Sequence, residues 1–161
     1  MNKLLLKPVE DSDIQLLTTW LNKEYILKWY HDADEWLNEI KERNGKFRFL
    51  NHFIVMDENH PVGFCQYYDC FYAQEDWYAV SNPNEIFSID YLIGEENYLR
   101  KGYGKEIVKT LVNTIQQRWS KGEIVVQPDD ENIASGKALL ANGFMFDADK
   151  KYYSLKWDTK E

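Results

Sequence analysis

A basic, glycine-containing turn between a strand and a helix constrains this chain more than any other feature. The turn reads Tyr98-Leu99-Arg100-Lys101-Gly102-Tyr103-Gly104-Lys105. The run before it, Ile86 to Ile93, is rich in β-branched and aromatic residues and predicts a buried strand. After it, Ile107, Val108, Leu111, Val112 and Ile115 recur at helical spacing. Glycines let a backbone approach a ligand closely, and a helix start offers free N–H groups to an anion. Arg100, Lys101 and Lys105 concentrate positive charge there in a chain whose net charge is −8. The arrangement predicts a phosphate or pyrophosphate site. It is neither a P-loop, since no G-x-x-x-x-G-K-[ST] occurs, nor a dinucleotide fingerprint, since Ile107 stands where a third glycine would fall. The plain structural alternative is a tight turn whose cations are solvated.

The length, 161 residues, predicts one domain spanning 1–161 with a substantial core. The start carries only three consecutive leucines before Lys7, too few for an export signal, and no apolar run is long enough to cross a bilayer. A cytoplasmic protein without membrane attachment is expected. Excess negative charge disfavours nucleic acid and anionic membranes and suits a cationic ligand. Cys65 and Cys70 lie on one extended run and read as free, partly buried thiols. Neither they nor the scattered His31, His52 and His60 have metal-site spacing, so no metal is expected. Aromatic residues reach 16%, with many outside core periodicity: Trp29-Tyr30, Trp36, Tyr67-Tyr68 and Trp77-Tyr78. Amphipathic aromatics in such numbers suit the walls of a cleft.

Along the chain, strands are expected at 4–9, 47–55, 62–71, 85–93, 123–127, 144–146 and 151–157. The second and third form a hairpin through the turn at 57–61. Helices are expected after the cap Asp11-Ser12-Asp13, at 33–40, at 102–119 and at 132–142, the last ended by Gly143. The segment 73–84 reads as a polar, aromatic-bearing loop. Alternation of strands and helices makes this a mixed α/β domain.

Residues 86–119, followed by Ile124-Val125-Val126-Gln127-Pro128, Asn132 and Ala138-Leu139-Leu140-Ala141-Asn142-Gly143-Phe144, resemble the GCN5-related N-acetyltransferase (GNAT) superfamily over nearly the whole chain. Trp20-Leu21-Asn22, Trp29-Tyr30, Asp76-Trp77 and Ile89-Asp90 are most similar to the aminoglycoside 6′-N-acetyltransferases, an outline shared with enzymes that acetylate siderophore precursors. The resemblance implies a central sheet of about six to seven strands flanked by about four helices, splayed between its two central strands. It implies acetyl-CoA as co-substrate, with the pantetheine arm in the splay. Tyr91, Leu92, Ile93, Arg100, Lys101, Gly102, Tyr103, Gly104, Lys105, Asn132 and Lys137 would hold the cofactor. An amide near Leu92 would be the oxyanion donor, and Trp29, Tyr30, Asp76, Trp77, Asp90 and Gln127 would line the acceptor cleft.

Asp90 is the expected catalytic base or ammonium anchor, because a carboxylate inside an apolar strand is costly to keep charged and its pKa rises. Asn132 also suits a helix cap, and Lys137 a solvated face. Three positions depart from the pattern. Leu99 stands where the turn usually carries a glutamine or arginine, with Arg100 and Lys101 supplying charge instead. Leu139 takes the place of the tyrosine acid, leaving Tyr152 and Tyr153 as substitutes to consider. Gln127 replaces an acidic residue that would bind a cation. The expected activity is acetyl transfer to a primary amine of a small polycation, by a monomer or homodimer. The alternatives are a GNAT enzyme for a siderophore precursor or protein N-terminus, and a non-catalytic acyl-CoA-binding module.

Overall fold

The computed structural model describes residues 3–159. The chain opens with β1 (Leu4–Pro8), a 3-10 turn (Asp11–Asp13) and three helices, α1 (Ile14–Leu21), α2 (Glu24–Tyr30) and α3 (Ala33–Lys41). A hairpin follows, β2 (Leu50–Asp57) and β3 (His60–Asp69), then the single turn α4 (Cys70–Ala73) and β4 (Ile86–Ile93). After the basic turn come α5 (Tyr103–Arg118), β5 (Lys121–Val126), α6 (Ile133–Leu140), β6 (Met145–Asp147) and β7 (Tyr152–Asp158). Among the described residues the seven strands form one sheet in the order β1-β2-β3-β4-β5-β7-β6, antiparallel except where β4 meets β5.

Strand alternation assigns each face its cover. Val55, Cys65, Tyr67, Phe87, Ile89, Ile124 and Val126 pack against α5 and α6. The apolar residues of α5 expected to face inward, Ile107, Val108, Leu111, Val112 and Ile115, are all buried there. Ile54, Phe64 and Leu92 face the other way, under Leu17, Trp20, Leu21, Ile26, Leu37 and Ile40 of α1 to α3.

The sheet splits where β4 and β5 part. They pair only through Ile86↔Glu123 and Phe87↔Ile124. The Ser88 hydroxyl donates to the Val125 carbonyl at 2.6 Å at the apex of the split. Beyond it the two strands diverge, as the splay expected of the resemblance requires.

Several expectations are corrected. Six α-helices flank the sheet rather than about four. One addition is α2, a short helix whose Trp29 and Tyr30 fall outside core periodicity because only Ile26 is buried. The other is α4: the Asp69 side chain accepts the Phe71 N–H at 3.0 Å, which turns the chain out of the strand two residues before its expected end. The strand expected from Phe47 begins at Leu50, because the amides of Phe47, Arg48 and Leu50 bond locally to Glu42, Gly45 and Phe47. Cys65 and Cys70 are free but fully, not partly, buried.

The α1–α2 unit is strapped to the end of β4. Trp20 is fully buried, and a Cβ added at Gly94 would fall 2.1 Å from its ring. The Trp20 indole N–H donates to Glu95, Lys23 Nζ to the Gly94 carbonyl at 2.8 Å and the Tyr25 hydroxyl to the Ile93 carbonyl at 2.7 Å. These contacts fix the wall of the split that β4 provides.

Candidate active site

A cavity of about 560 Å³ opens at the split. Its floor is Ser88 to Tyr91 of β4, with Gln66 and Tyr68 of β3 beside it. Trp29, Tyr30 and Trp36 of the α2–α3 region and Trp77 of the loop after α4 form walls, and Val126 to Asp129 with Asn132 form the far side. Tyr30 and Trp36 meet edge to face at 5.1 Å, and Trp77 meets Tyr78 at 4.8 Å, so the walls are braced by ring contacts.

Five carboxylates line this one cavity: Glu35 and Glu39 of α3, Glu75, Asp90, and Asp129 on the far side. Asp90 Oδ2 accepts a hydrogen bond from Gln66 Nε2 at 2.7 Å. Burial pushes the Asp90 pKa up to about 6; the Gln66 bond opposes the rise and the Glu75 charge adds to it. Burial, then the charges of Asp90, Glu35 and Glu75, push Glu39 up to about 7. The Tyr30 hydroxyl donates to the Tyr91 carbonyl, and burial followed by the Asp90 charge holds it well above the usual phenol range. A neutral tyrosine and two carboxyls that ionise near neutrality therefore meet at one wall. Such a site accepts a proton from an ammonium, or binds one, at physiological pH.

Of the residues nominated from sequence, Trp29, Tyr30, Trp77, Asp90, Tyr91, Gln127 and Asn132 come together at this cavity. Asp76 does not: it is exposed, outside the lining, and the neighbouring Glu75 occupies the place expected for it. Glu75 Oε1 accepts the Tyr68 hydroxyl at 2.9 Å, which holds it inward. Sequence reading also missed Glu35 and Glu39. Their spacing of four on α3 was available, since it places both on one helix face. Gln127 is exposed and donates to the Lys151 carbonyl at 3.0 Å.

The ladder register redistributes the expected backbone donor. The Gly94 amide donates to the Val62 carbonyl at 2.8 Å, and Leu92 lies opposite Phe64 two residues earlier. In an antiparallel ladder residues two apart point their amides the same way. The Leu92 amide is thus directed at β3, against the expectation of a donor there, whereas the amides of Tyr91 and Ile93 face the split. The Tyr91 side chain turns to the opposite face, its hydroxyl 2.7 Å from Ser135 Oγ on α6.

The anion turn lies at the far end of the split. Gly102 has φ +84°, a conformation that explains the glycine, and caps the start of α5. A Cβ added at Gly104 meets nothing within 4 Å, so its first-turn backbone stands open to a ligand. Arg100, Lys101 and Lys105 are exposed around it. The Tyr103 side chain instead enters the core, so that residue offers a ligand only its backbone. Asn132 caps α6, its Oδ1 accepting the Ser135 N–H at 3.2 Å, while it also lines the cavity. Lys137 is exposed on α6. Leu139, in the place of the tyrosine acid, is fully buried. Tyr152 is buried, whereas Tyr153 lays its hydroxyl against Gly136 of α6, where a Cβ would come within 2.6 Å of it.

Comparison with known proteins agrees with this geometry. The chain is 22% identical over 149 residues to the aminoglycoside N(6′)-acetyltransferase type 1 of Klebsiella pneumoniae, covering 89% of this chain and 74% of that protein. Among solved structures it is similar to AAC(6′)-Ib in complex with paromomycin and acetyl-CoA, with TM-score 0.79, 20% identity and coverage of 96% and 94% of the two chains. It is also similar to an aminoglycoside N(6′)-acetyltransferase from Legionella pneumophila, with TM-score 0.73, 17% identity and coverage of 99% and 94%. The family model described as the acetyltransferase (GNAT) domain matches residues 9–151, which include both sides of the split, the basic turn and the acidic cavity: the chain belongs to the GNAT acetyltransferase family.

Proposed function

We propose that this protein is an acetyl-CoA-dependent N-acetyltransferase for a small polycationic amine, with the 6′-amine of an aminoglycoside as the acceptor of first choice. The observation that carries the acceptor class is the placement of Glu35, Glu39, Glu75 and Asp90 around one aromatic-walled cavity beside the splayed strands. Carboxylates and aromatic faces together favour ammonium groups. The relatives named above carry the same acceptor in their names.

The residues suit the cofactor. The open backbone at Gly104, the start of α5 and three exposed cations fit a pyrophosphate, and the free edge of β4 fits an extended amide-bearing arm. Acetyl-CoA supplies the activated acetyl group as a thioester. Asp90 takes a proton from the bound ammonium, directly or through water, and frees the amine lone pair. The C–N bond forms as the C–S bond breaks, and the proton that the nitrogen then sheds goes to the departing thiolate, directly or through solvent. The amides of Tyr91 and Ile93 are the donors for the carbonyl oxygen, a contribution worth about 3 kcal/mol per well-placed donor. Asp90 is the base, while Glu35, Glu39 and Glu75 bind the remaining ammonium groups.

A second reading is favoured by Gln127, neutral and tied to Lys151: an acceptor with fewer charges, such as a siderophore precursor or a peptide N-terminus. The net charge of −8 supports action away from nucleic acid and anionic membranes. Thiol release from acetyl-CoA, measured across aminoglycosides, linear polyamines, hydroxylamines and peptides, tests these readings. Release with kanamycin-class compounds is expected. Release only with neutral amines or peptides retires the polycation, and no release with any amine retires the transferase.

A further inference from the structure

Three strands place His52, Gln66 and Asp90 in one straight row. His52 of β2 lies opposite Gln66 of β3, and Gln66 lies opposite Asp90 of β4, so the three side chains share the face under α1 to α3. The rows on either side are Ile54–Phe64–Leu92 and Leu50–Tyr68–Ser88. His52 and Gln66 are 5% and 2% exposed. The Gln66 amide nitrogen is committed to Asp90. The polar atoms behind it, Gln66 Oε1 and both His52 ring nitrogens, are buried and meet no hydrogen-bond partner in ideal geometry among the described residues. Buried polar atoms in native proteins are almost always satisfied, so three orphans in one row, ending on the candidate base, call for an explanation.

We propose that His52 and Gln66 are positioning residues for Asp90: a neutral His52 donates one ring N–H to Gln66 Oε1, and this bond holds the carboxamide with its NH2 toward the carboxylate. The proposal rests on the reading of Asp90 as the base. A carboxamide can rotate to present either end, and its oxygen would repel Asp90. An N–H anchored on the oxygen removes that choice. His52 is itself held in plane by stacking on Phe64, with ring centres 5.7 Å apart and 27° between planes. Burial, reinforced by the Arg43 charge and opposed by the contact with Gln66, pushes its pKa down to about 4, so the row stays uncharged up to Asp90 over the working range.

The groups facing the row are few. Gln66 and Tyr68 of β3, Tyr30 of α2, Glu35 and Glu39 of α3, and Glu75 surround Asp90. Gln66, Phe64 and Arg43 surround His52. All the charged neighbours of Asp90 are acidic and hold its proton on. Gln66 opposes them, and His52 keeps it in the orientation that does so. The row therefore sets the pH at which the base is free.

The test reads Asp90 directly. Carboxyl carbon NMR of aspartate-labelled protein, without substrates, gives its titration midpoint in wild type, Gln66→Leu, His52→Phe and the double variant. The midpoint should climb by about one pH unit in Gln66→Leu, less in His52→Phe, and no further in the double variant than in Gln66→Leu, because His52 acts only through Gln66. The acidic limb of kcat/KM for the acceptor should move with it, about ten-fold down at pH 5.5 and recovered at pH 8, while KM for acetyl-CoA stays put. His52→Asn, which keeps an N–H donor, should recover part of the loss. Imidazole nitrogen spectra of the wild type should show His52 as one neutral tautomer with a protected N–H from pH 5 to 8, an observation that needs no variant to fold. An unmoved midpoint in Gln66→Leu, additive shifts in the double variant, or a charged or freely exchanging His52 would overturn the proposal. A midpoint that moves while the rate profile does not would retire Asp90 as the base and leave the row standing.

Discussion

The hydroxyl of Tyr103, the first residue of α5, donates to Asp57 Oδ2 at the end of β2 across 2.6 Å. The residue between the two glycines of the turn thereby ties the start of α5 to the sheet. Asp57 Oδ1 is buried without a partner, so the Tyr103 bond is what satisfies this carboxylate on that side. Tyr103→Phe leaves the carboxylate uncompensated and should destabilise the fold by about 1–3 kcal/mol. Denaturant titration checks this, and acetyl-CoA should still raise the melting temperature of the variant.

Gly102 needs its positive φ and Gly104 its open face, so their substitutions should separate. Gly102→Val strains the backbone and should lower stability by about 1–2 kcal/mol. Gly104→Val meets no protein atom and should leave the free protein's melting temperature nearly unchanged while reducing the shift that acetyl-CoA produces. Thermal denaturation with and without acetyl-CoA measures both. An undiminished shift in Gly104→Val would remove the turn from the cofactor site.

Asp90→Asn should lose about 10²–10⁴-fold in kcat with acetyl-CoA affinity retained, since an amide keeps the Gln66 contact and accepts no proton. The wild-type rate should rise with pH through about 6, where Asp90 deprotonates. Stability runs the other way. A carboxyl whose pKa is raised on folding binds its proton more tightly in the native state, so its contribution falls as pH climbs from about 4 to about 6. Asp90→Asn should therefore be more stable than wild type at pH 7.5, by about 1–3 kcal/mol, and similar to it at pH 4. Wild-type turnover in this variant would make Asp90 structural.

Glu39 and Asp90 ionise late because burial disfavours their charged forms, with the Asp90 charge adding to the effect on Glu39 and the Glu75 charge to that on Asp90. A multiply charged amine relieves both, so its binding should release protons between about pH 5 and 7 and tighten as pH rises across that range. Calorimetry in two buffers of different ionisation heat counts those protons. A neutral amine should release none.

The charges of the cavity, rather than the acidity of the chain at large, should govern the acceptor. Glu75→Gln and Glu39→Gln should raise acceptor KM several-fold with kcat within a few-fold, and the effect should weaken in salt. Asp76→Asn, one residue away but outside the cavity, should change neither. Steady-state kinetics at two ionic strengths distinguish these outcomes, and equal effects at positions 75 and 76 would argue for a diffuse field.

Local chemistry was written plainly enough to be read. The 3.6-residue spacing of Ile107 to Ile115 named the buried face of α5, because a helix cannot place those residues apart. The apolar run 86–93 named the central strand, and the glycines at 102 and 104 named a turn whose backbone a ligand can approach. Asp90 stood out because a carboxylate within such a run is costly unless it works. These are properties of neighbours in sequence. The cavity is not. Whether Glu75 or Asp76 turns inward depends on the Tyr68 hydroxyl, which belongs to another strand. Glu35 and Glu39 belong to the site only because α3 packs across the face that carries Asp90. The row of His52, Gln66 and Asp90 joins residues separated by 14 and 24 positions through ladder register, which hydrogen bonding between strands decides and no local spacing encodes. Period and conformational preference are carried by each segment alone. Proximity, and with it every shifted pKa, exists only once the strands have chosen their partners.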